Sequence, residues 1–111
     1  MGTLRICVIG ASALAGFLIS SCVIEARELT IQRGRALAQA NCARCHTIGR
    51  SGKSPLPKAP PFRTLNERYP VEDLTESLAE GIRTGHPAMP EFVLNQDQIQ
   101  DLISYLKFLE R

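Results

Sequence analysis

Apolar positions recur along this chain in three helical patterns, separated by segments that follow no period. The sharpest lies near the end, where Ile99, Leu102, Ile103, Leu106 and Leu109 fall at spacings of three and four. That is the stripe of a helix with one face against a core. Asn95 and Gln98 stand at its start as a capping-box pair, so "NQDQIQDLISYLKFLE" predicts a helix with a defined first turn. A second pattern, "PVEDLTESLAEG", places Val71, Leu74 and Leu78 on one face. Pro70 suits a first helical turn, Glu72, Asp73 and Glu76 favour the positive end of the helix dipole, and Gly81 can stop the helix. The third pattern starts at about Thr30, a reasonable N-cap, and runs through "IQRGRALAQANCARC" with Ile31, Leu37 and Ala38 apolar. Gly34 inside it should cost roughly 1 kcal/mol against Ala, which predicts that another helix approaches closely there. No run alternates as a strand does, so an all-α domain is expected.

The beginning of the chain follows a different rule. Met1 to Arg5 carries one positive charge, and Ile6 to Ile24 is free of charge until Glu25, the pattern of an export signal. Residues 1–26 therefore read as a signal peptide and residues 27–111 as the domain. "IEA", ending at Ala26, offers a processing site, while "ISSC" at Ile19 to Cys22 resembles a bacterial lipobox. The 19 uncharged residues also approach the length of a bilayer span, so an uncleaved anchor is a third outcome. Each of the three places the domain outside the cytoplasmic membrane, and a periplasmic location, soluble or tethered through the N-terminus, is expected.

Composition adds that this domain needs help with its core. At about 85 residues it is near the size at which apolar burial alone is barely sufficient without a disulfide, metal or cofactor. It has no Trp, and the whole chain has two Tyr and four Phe. Of four cysteines, Cys7 and Cys22 lie in the leader, which leaves Cys42 and Cys45. Between the first two helices, "TIGRSGKSPLPKAPPFRTL" holds four prolines and two glycines; so long a loop in so small a domain must wrap around something. Charge is divided as well. Residues 27–66 carry eight Lys/Arg against one acid, net +7, and residues 67–111 carry four against nine, net −5, a dipole hidden in the overall +2.

The candidate chemistry is concentrated in "CARCH", where Cys42, Cys45 and His46 form a C-x-x-C-H motif. Three readings compete for it. A structural zinc site wants four closed N/S ligands, and the domain adds only the distant His86, while adjacent Cys45 and His46 are awkward as simultaneous ligands. A dithiol switch wants the motif at a helix N-terminus, normally after a strand, but here it follows a helical pattern. The third reading is attachment of a c-type haem. Two thiols one helical turn apart can each bond one vinyl group of the porphyrin, and His46 is then held against the iron as proximal ligand. This explains more of the chain, including export and the unfilled centre. Met89, the one methionine after the initiator, lies in "TGHPAMPEF" between Pro87 and Pro90. A stiff loop of this kind can present its sulfur as the second axial ligand, and a Met/His pair is a standard haem ligation. Met89 as a core gap-filler and His86 as a ligand in its place are the competing readings.

With these residues in view, the sequence resembles class I cytochrome c, the small monohaem cytochromes exported by bacteria. The resemblance covers residues 28–110 and rests on "GRALAQANCARCH", "APPF", "GHPAMP" and "LISYLKFL". It implies a small cytochrome c fold of three to four helices wrapped around one haem c, held covalently through Cys42 and Cys45, with N- and C-terminal helices crossing where Gly34 meets Tyr105. It also implies that a proline carbonyl, best matched by Pro60, accepts a hydrogen bond from the proximal histidine and orients it. Many members bind a haem propionate with a tryptophan, which this chain lacks; Arg50, Arg63 and Tyr69 are the candidate substitutes.

The expected function is one-electron transfer rather than enzymatic catalysis, because a six-coordinate iron leaves no vacant site for a substrate. Methionine as a ligand should raise the potential relative to two histidines. Arg44, Arg50, Lys53 and Lys58 lie close in sequence to the motif, so an acidic-surfaced partner, such as a membrane oxidase or dehydrogenase of a respiratory chain, would be steered to the haem edge. The alternatives are an open-site haem sensor or gas-binding module, a weak peroxidase, and a haem subunit working only inside a membrane complex. A monomer is expected. Export and the modest net charge argue against nucleic acid.

Overall fold

In the computed structural model the described residues are 15–81 and 88–111, with side chains described from Cys22 onward. The chain forms α1 (Ala15–Asn41), a 3-10 helix (Phe62–Glu67), a 3-10 turn (Val71–Asp73), α2 (Leu74–Glu80) and α3 (Gln96–Leu109). No strand occurs among the described residues, so the all-α expectation holds.

The N- and C-terminal helices make the backbone of the fold. A β-carbon on Gly34 would lie 2.0 Å from the Asp101 carbonyl oxygen and 2.8 Å from the β-carbon of Tyr105. Any other residue would push α1 and α3 apart, which is why a helix interior tolerates glycine here. Arg33, next along α1, closes the same crossing: its Nε and Nη2 donate to the two Asp101 carboxylate oxygens at 2.8 and 3.1 Å. Behind the crossing, Ile31 and Ala38 of α1 pack with Ile99, Leu102, Tyr105 and Leu106 of α3. The capping box of α3 is complete: Gln98 N donates to Asn95 Oδ1 at 2.9 Å and Asn95 N donates to Gln98 Oε1 at 3.1 Å.

Two helix boundaries differ from the sequence reading. α1 begins at Ala15 rather than near Thr30, and the Thr30 hydroxyl donates back to the Ala26 carbonyl at 3.0 Å instead of capping. Nothing between Phe17 and Gly34 breaks a helix, since that stretch holds neither Gly nor Pro and is rich in helix formers. The helix expected over "PVEDLTESLAEG" is shorter. Pro70 takes an extended ψ of 131°, the next three residues wind as a 3-10 turn, and α2 starts only at Leu74. It ends where Gly81 adopts φ 96°, a conformation that favours glycine.

Candidate functional site

The C-x-x-C-H residues occupy the turn that ends α1. Cys42 N donates to Ala38 O at 2.8 Å, and Cys45 N and His46 N both donate to Cys42 O, at 3.1 and 2.9 Å. These bonds use up carbonyls that a helix end leaves without partners. They wind the motif into a tight turn continuous with α1. Both cysteines are free thiols and half-buried. Burial, with a smaller contribution from Cys45, pushes the Cys42 thiol up to about 11, so the sulfur is neutral at ordinary pH and compatible with an apolar surrounding.

His46 is fixed by the proline-rich loop that wraps around it. Its Nδ1 lies 2.7 Å from the Pro60 carbonyl oxygen. The carbonyl can only accept, so Nδ1 carries the proton; in a neutral imidazole held this way Nε2 is the nitrogen that can bind a metal. Phe62, the first residue of the 3-10 helix, sets its ring 5.2 Å from the imidazole at 48°. The loop itself is laced together. Leu56 N donates to Cys45 O at 3.1 Å, Phe62 N to Thr47 O at 2.9 Å, and Thr47 N to Ser54 Oγ at 3.1 Å. From the other side of the domain the Tyr105 hydroxyl donates to Ile48 O at 2.7 Å.

In front of this turn lies an apolar cavity of about 630 Å³, well within the size range of cofactor pockets. Cys42, Cys45, His46 and Pro60 line it from one segment, Leu74 and Leu78 from α2, and Met89 from the segment that follows α2. Met89 is half-buried and packs on the hydrophobic core. His86 and Pro87 lie outside the described residues. Among the described residues, no three His, Cys, Asp or Glu side chains gather as a cage for a metal ion, and the motif follows a helix rather than a strand. Among the described residues, neither the zinc nor the dithiol reading gains a structural partner. The residues present do fit a haem: two free cysteines, a histidine and a methionine line a single apolar space large enough for a porphyrin.

Of the three side chains considered for a propionate, Tyr69 lines the cavity and the two arginines do not. Arg50 instead closes the end of α3, donating to Phe108 O at 2.8 Å and Arg111 O at 2.5 Å with its guanidinium 4.5 Å above the Phe108 ring. Arg63 donates to Gly52 O at 2.9 Å. Lys58 also lines the cavity, and Arg44 and Lys53 are exposed. Sequence reasoning left three contributors unseen: Phe62 against His46, Leu65 on the cavity wall, and Tyr105 on the Ile48 carbonyl. The i, i+3 pair Phe62 and Leu65 after two prolines was the available signal for the first two.

An all-α fold with a C-x-x-C-H turn facing an apolar cavity defines a domain for a covalently attached cofactor. The chain belongs to the cytochrome c family: residues 29–106 match the family described as cytochrome C oxidase, cbb3-type, subunit III. It is also similar to a cytochrome c-553-like protein of Synechocystis sp., 35% identical over 77 residues, which is 69% of this chain and 67% of that protein. No solved structure matches. The family carries one covalently attached haem c, for which Cys42 and Cys45, next to His46, are the attachment pair, and its work is electron transfer through that haem.

Proposed function

We propose that this protein is an exported one-electron carrier in which His46 and Met89 hold the two axial positions of the haem iron and no bond chemistry is performed. The observation that carries this reading is that one apolar cavity is lined by both the C-x-x-C-H turn and Met89. When bound, the haem supplies an iron that alternates between ferrous and ferric states. Cys42 and Cys45 tether it; His46 offers Nε2 because the Pro60 carbonyl holds its other nitrogen as the donor. Met89 offers a soft sulfur that favours the reduced iron. Apolar walls from Leu74, Leu78 and Phe62 exclude water and keep the ligand set constant through the electron cycle. Residues 1–26 serve as the leader for the periplasm.

Partners are other redox proteins. Lys58 at the cavity, with exposed Arg44 and Lys53 nearby in sequence, favours an acidic patch on the partner, whereas α2 exposes Glu76 and Glu80. Such an arrangement orients a partner as well as attracting it. Neutralising Arg44, Lys53 and Lys58 together should slow transfer at low salt, and an unchanged rate would remove steering from the account.

The deciding experiment is the visible and near-infrared spectrum of the protein matured in a host able to attach c-type haem, in both oxidation states and with carbon monoxide. A c-type reduced spectrum, a methionine–iron charge-transfer band in the oxidised form and no response to carbon monoxide are expected. Covalent haem without that band, or with prompt carbon monoxide binding, transfers the assignment to His86 ligation or an open-site sensor. A second reading, a haem subunit of a membrane oxidase, is favoured by the family match over residues 29–106. Co-purification with an oxidase after mild solubilisation would establish it, and recovery of the free protein with full electron-transfer activity would dismiss it.

A further inference from the structure

His46 stands where two peptide planes meet, and both planes are tied. The plane before it is held by backbone alone: His46 N donates to Cys42 O at 2.9 Å, and Leu56 N donates to Cys45 O at 3.1 Å. The plane after it contains the His46 carbonyl and the Thr47 amide, which turn together because a peptide unit is rigid. That amide donates to Ser54 Oγ at 3.1 Å, so a side chain holds this plane. Ser54 follows a fastened bend, in which Gly52 takes a φ of 91° and its carbonyl accepts from Arg63 Nη2 at 2.9 Å. Thr47 and Ser54 are both half-buried. Ser54 does not line the cavity, so whatever it does for the site it does through His46.

We infer that Ser54 is a positioning residue for the proximal ligand: by holding the His46 peptide it keeps the ring against the Pro60 carbonyl, and so sets how strongly His46 donates to the haem iron. The inference rests on the reading of His46 as proximal ligand and deepens it. The orientation of the peptide fixes the direction in which the His46 side chain leaves the backbone, and with it the reach of Nδ1 to Pro60 O, which is 2.7 Å. An imidazole that donates its proton to a carbonyl is a more basic ligand, and a more basic ligand favours ferric over ferrous iron. Hydrogen bonding around the ligands is one of the levers on a haem potential. Without the Ser54 hydroxyl the Thr47 amide is left to water, and the ring is freer to tilt off Pro60. The bond to Pro60 is then loosened rather than removed, so its effect should fall short of the roughly tenfold or more that follows deletion of such a partner. A rise of about threefold in the ferrous-to-ferric ratio at a fixed electrode potential is expected, roughly 30 mV for a one-electron couple.

The test measures the midpoint potential of the folded holoprotein. Ser54→Ala and Ser54→Val lack the hydroxyl, Ser54→Thr keeps it in the shape of Val, and Ser51→Ala is an exposed control on the same loop. The potential should rise by roughly 30 mV in the Ala and Val variants at position 54 and stay at the wild-type value in Ser54→Thr and Ser51→Ala. Exchange of the His46 ring proton, followed by NMR with isotope-labelled histidine, should be faster in the same two variants. A merely structural role for Ser54 would lower the unfolding midpoint and leave the potential of folded molecules where it was. Wild-type potential and exchange in Ser54→Ala would overturn the inference, and so would a shift in Ser54→Thr as large as that in Ser54→Val; the Thr and Val pair decides the matter if Ser54→Ala fails to fold. The same spectra report on the ligand itself, because an iron-bound histidine has a haem-shifted ring proton. Absence of such a resonance from the wild type, or its loss in His86→Gln, would overturn the His46 reading and the role of Ser54 together. A resonance that persists in His86→Gln, with unaltered Ser54→Ala and Ser54→Val, overturns the role of Ser54 alone.

Discussion

Residues 42–62 and residues 88–94 both deliver side chains to the cavity, and they are held there by unlike means. The first segment is pinned along its length. Its own carbonyls at Cys45 and Thr47 receive Leu56 N and Phe62 N, Ser54 ties the Thr47 amide, and Tyr105 reaches across from α3 to Ile48. The second segment, over the residues described, is tied back to α2 where Leu94 N donates to Leu78 O. Among the described residues, the histidine side is thus tied at several points along its length, and the methionine side rejoins α2 through the Leu94 amide. That division places the covalent attachment pair on the first side and the ligand proposed above, Met89, on the second. Backbone amide exchange should display it directly, with Phe62 and Leu56 protected far longer than Leu94.

The largest blow to the comparison is removal of what the rigid side carries. Cys42→Ser combined with Cys45→Ser should abolish covalent haem, read as loss of haem stain after denaturing electrophoresis, and leave the cavity without its tethered filler. Retention of covalent haem would refute the attachment pair. Next comes packing on the two sides. Phe62→Ala removes a buried ring against His46 and should cost about 3–5 kcal/mol in denaturant unfolding, whereas half-buried Phe92 should cost about 1–2 kcal/mol when truncated. Equal losses would show that the two segments are equally framed.

Tyr105→Phe deletes the hydroxyl that braces Ile48, and about 1–2 kcal/mol should be lost as that carbonyl goes unpaired. Burial raises the Tyr105 phenol above its ordinary value of 10. The neutral phenol is favoured in the fold, so its contribution is complete below the unfolded pKa and is lost as pH rises through the folded one. The Phe variant should accordingly have a flatter alkaline limb in its stability profile.

The smallest effect is expected at the exposed ion pair of Glu72 with Lys107, which joins the 3-10 turn before α2 to α3. The Lys107 hydrogen bond holds the Glu72 carboxyl below its ordinary range. Its contribution is present above the unfolded pKa and is lost as pH falls through the folded value. Glu72→Gln should remove a slight acid dependence of the urea midpoint and do little else. A large change at neutral pH would mean that α2 leans on this pair more than its exposure implies.

Local codes explain what could be read from the sequence in advance. α3 announces itself through a capping box and an unbroken apolar stripe, and both survive because they depend only on neighbours in sequence. Gly34 could be assigned to a close crossing because an interior glycine has few other uses. The C-x-x-C-H turn and Met89 stood out by residue type, and folding brings both to one cavity. The start of α1 was not legible, because the residues before Thr30 are as helix-prone as those that follow. The wrapping of 47–61 was legible only as a need, since its bonds pair Leu56 with Cys45 and Phe62 with Thr47 without any periodic signal. The propionate candidates separated only in three dimensions, when α3 and Gly52 claimed the two arginines.

The unbroken length of α1 also works as a ruler. An α-helix advances 1.5 Å per residue, and Cys42 stands 18 residues beyond Ile24, where the uncharged run ends. A leader retained in the bilayer would hold the haem thiols about 27 Å above the last apolar residue, with no hinge of glycine or proline between Ile24 and Gly34 to let them swing. A donor in the same membrane would then have to present its own redox centre at that height, while a chain cut at Ala26 would carry its electron anywhere diffusion allows. Whether the stem is kept or shed thus determines the volume through which this electron can travel.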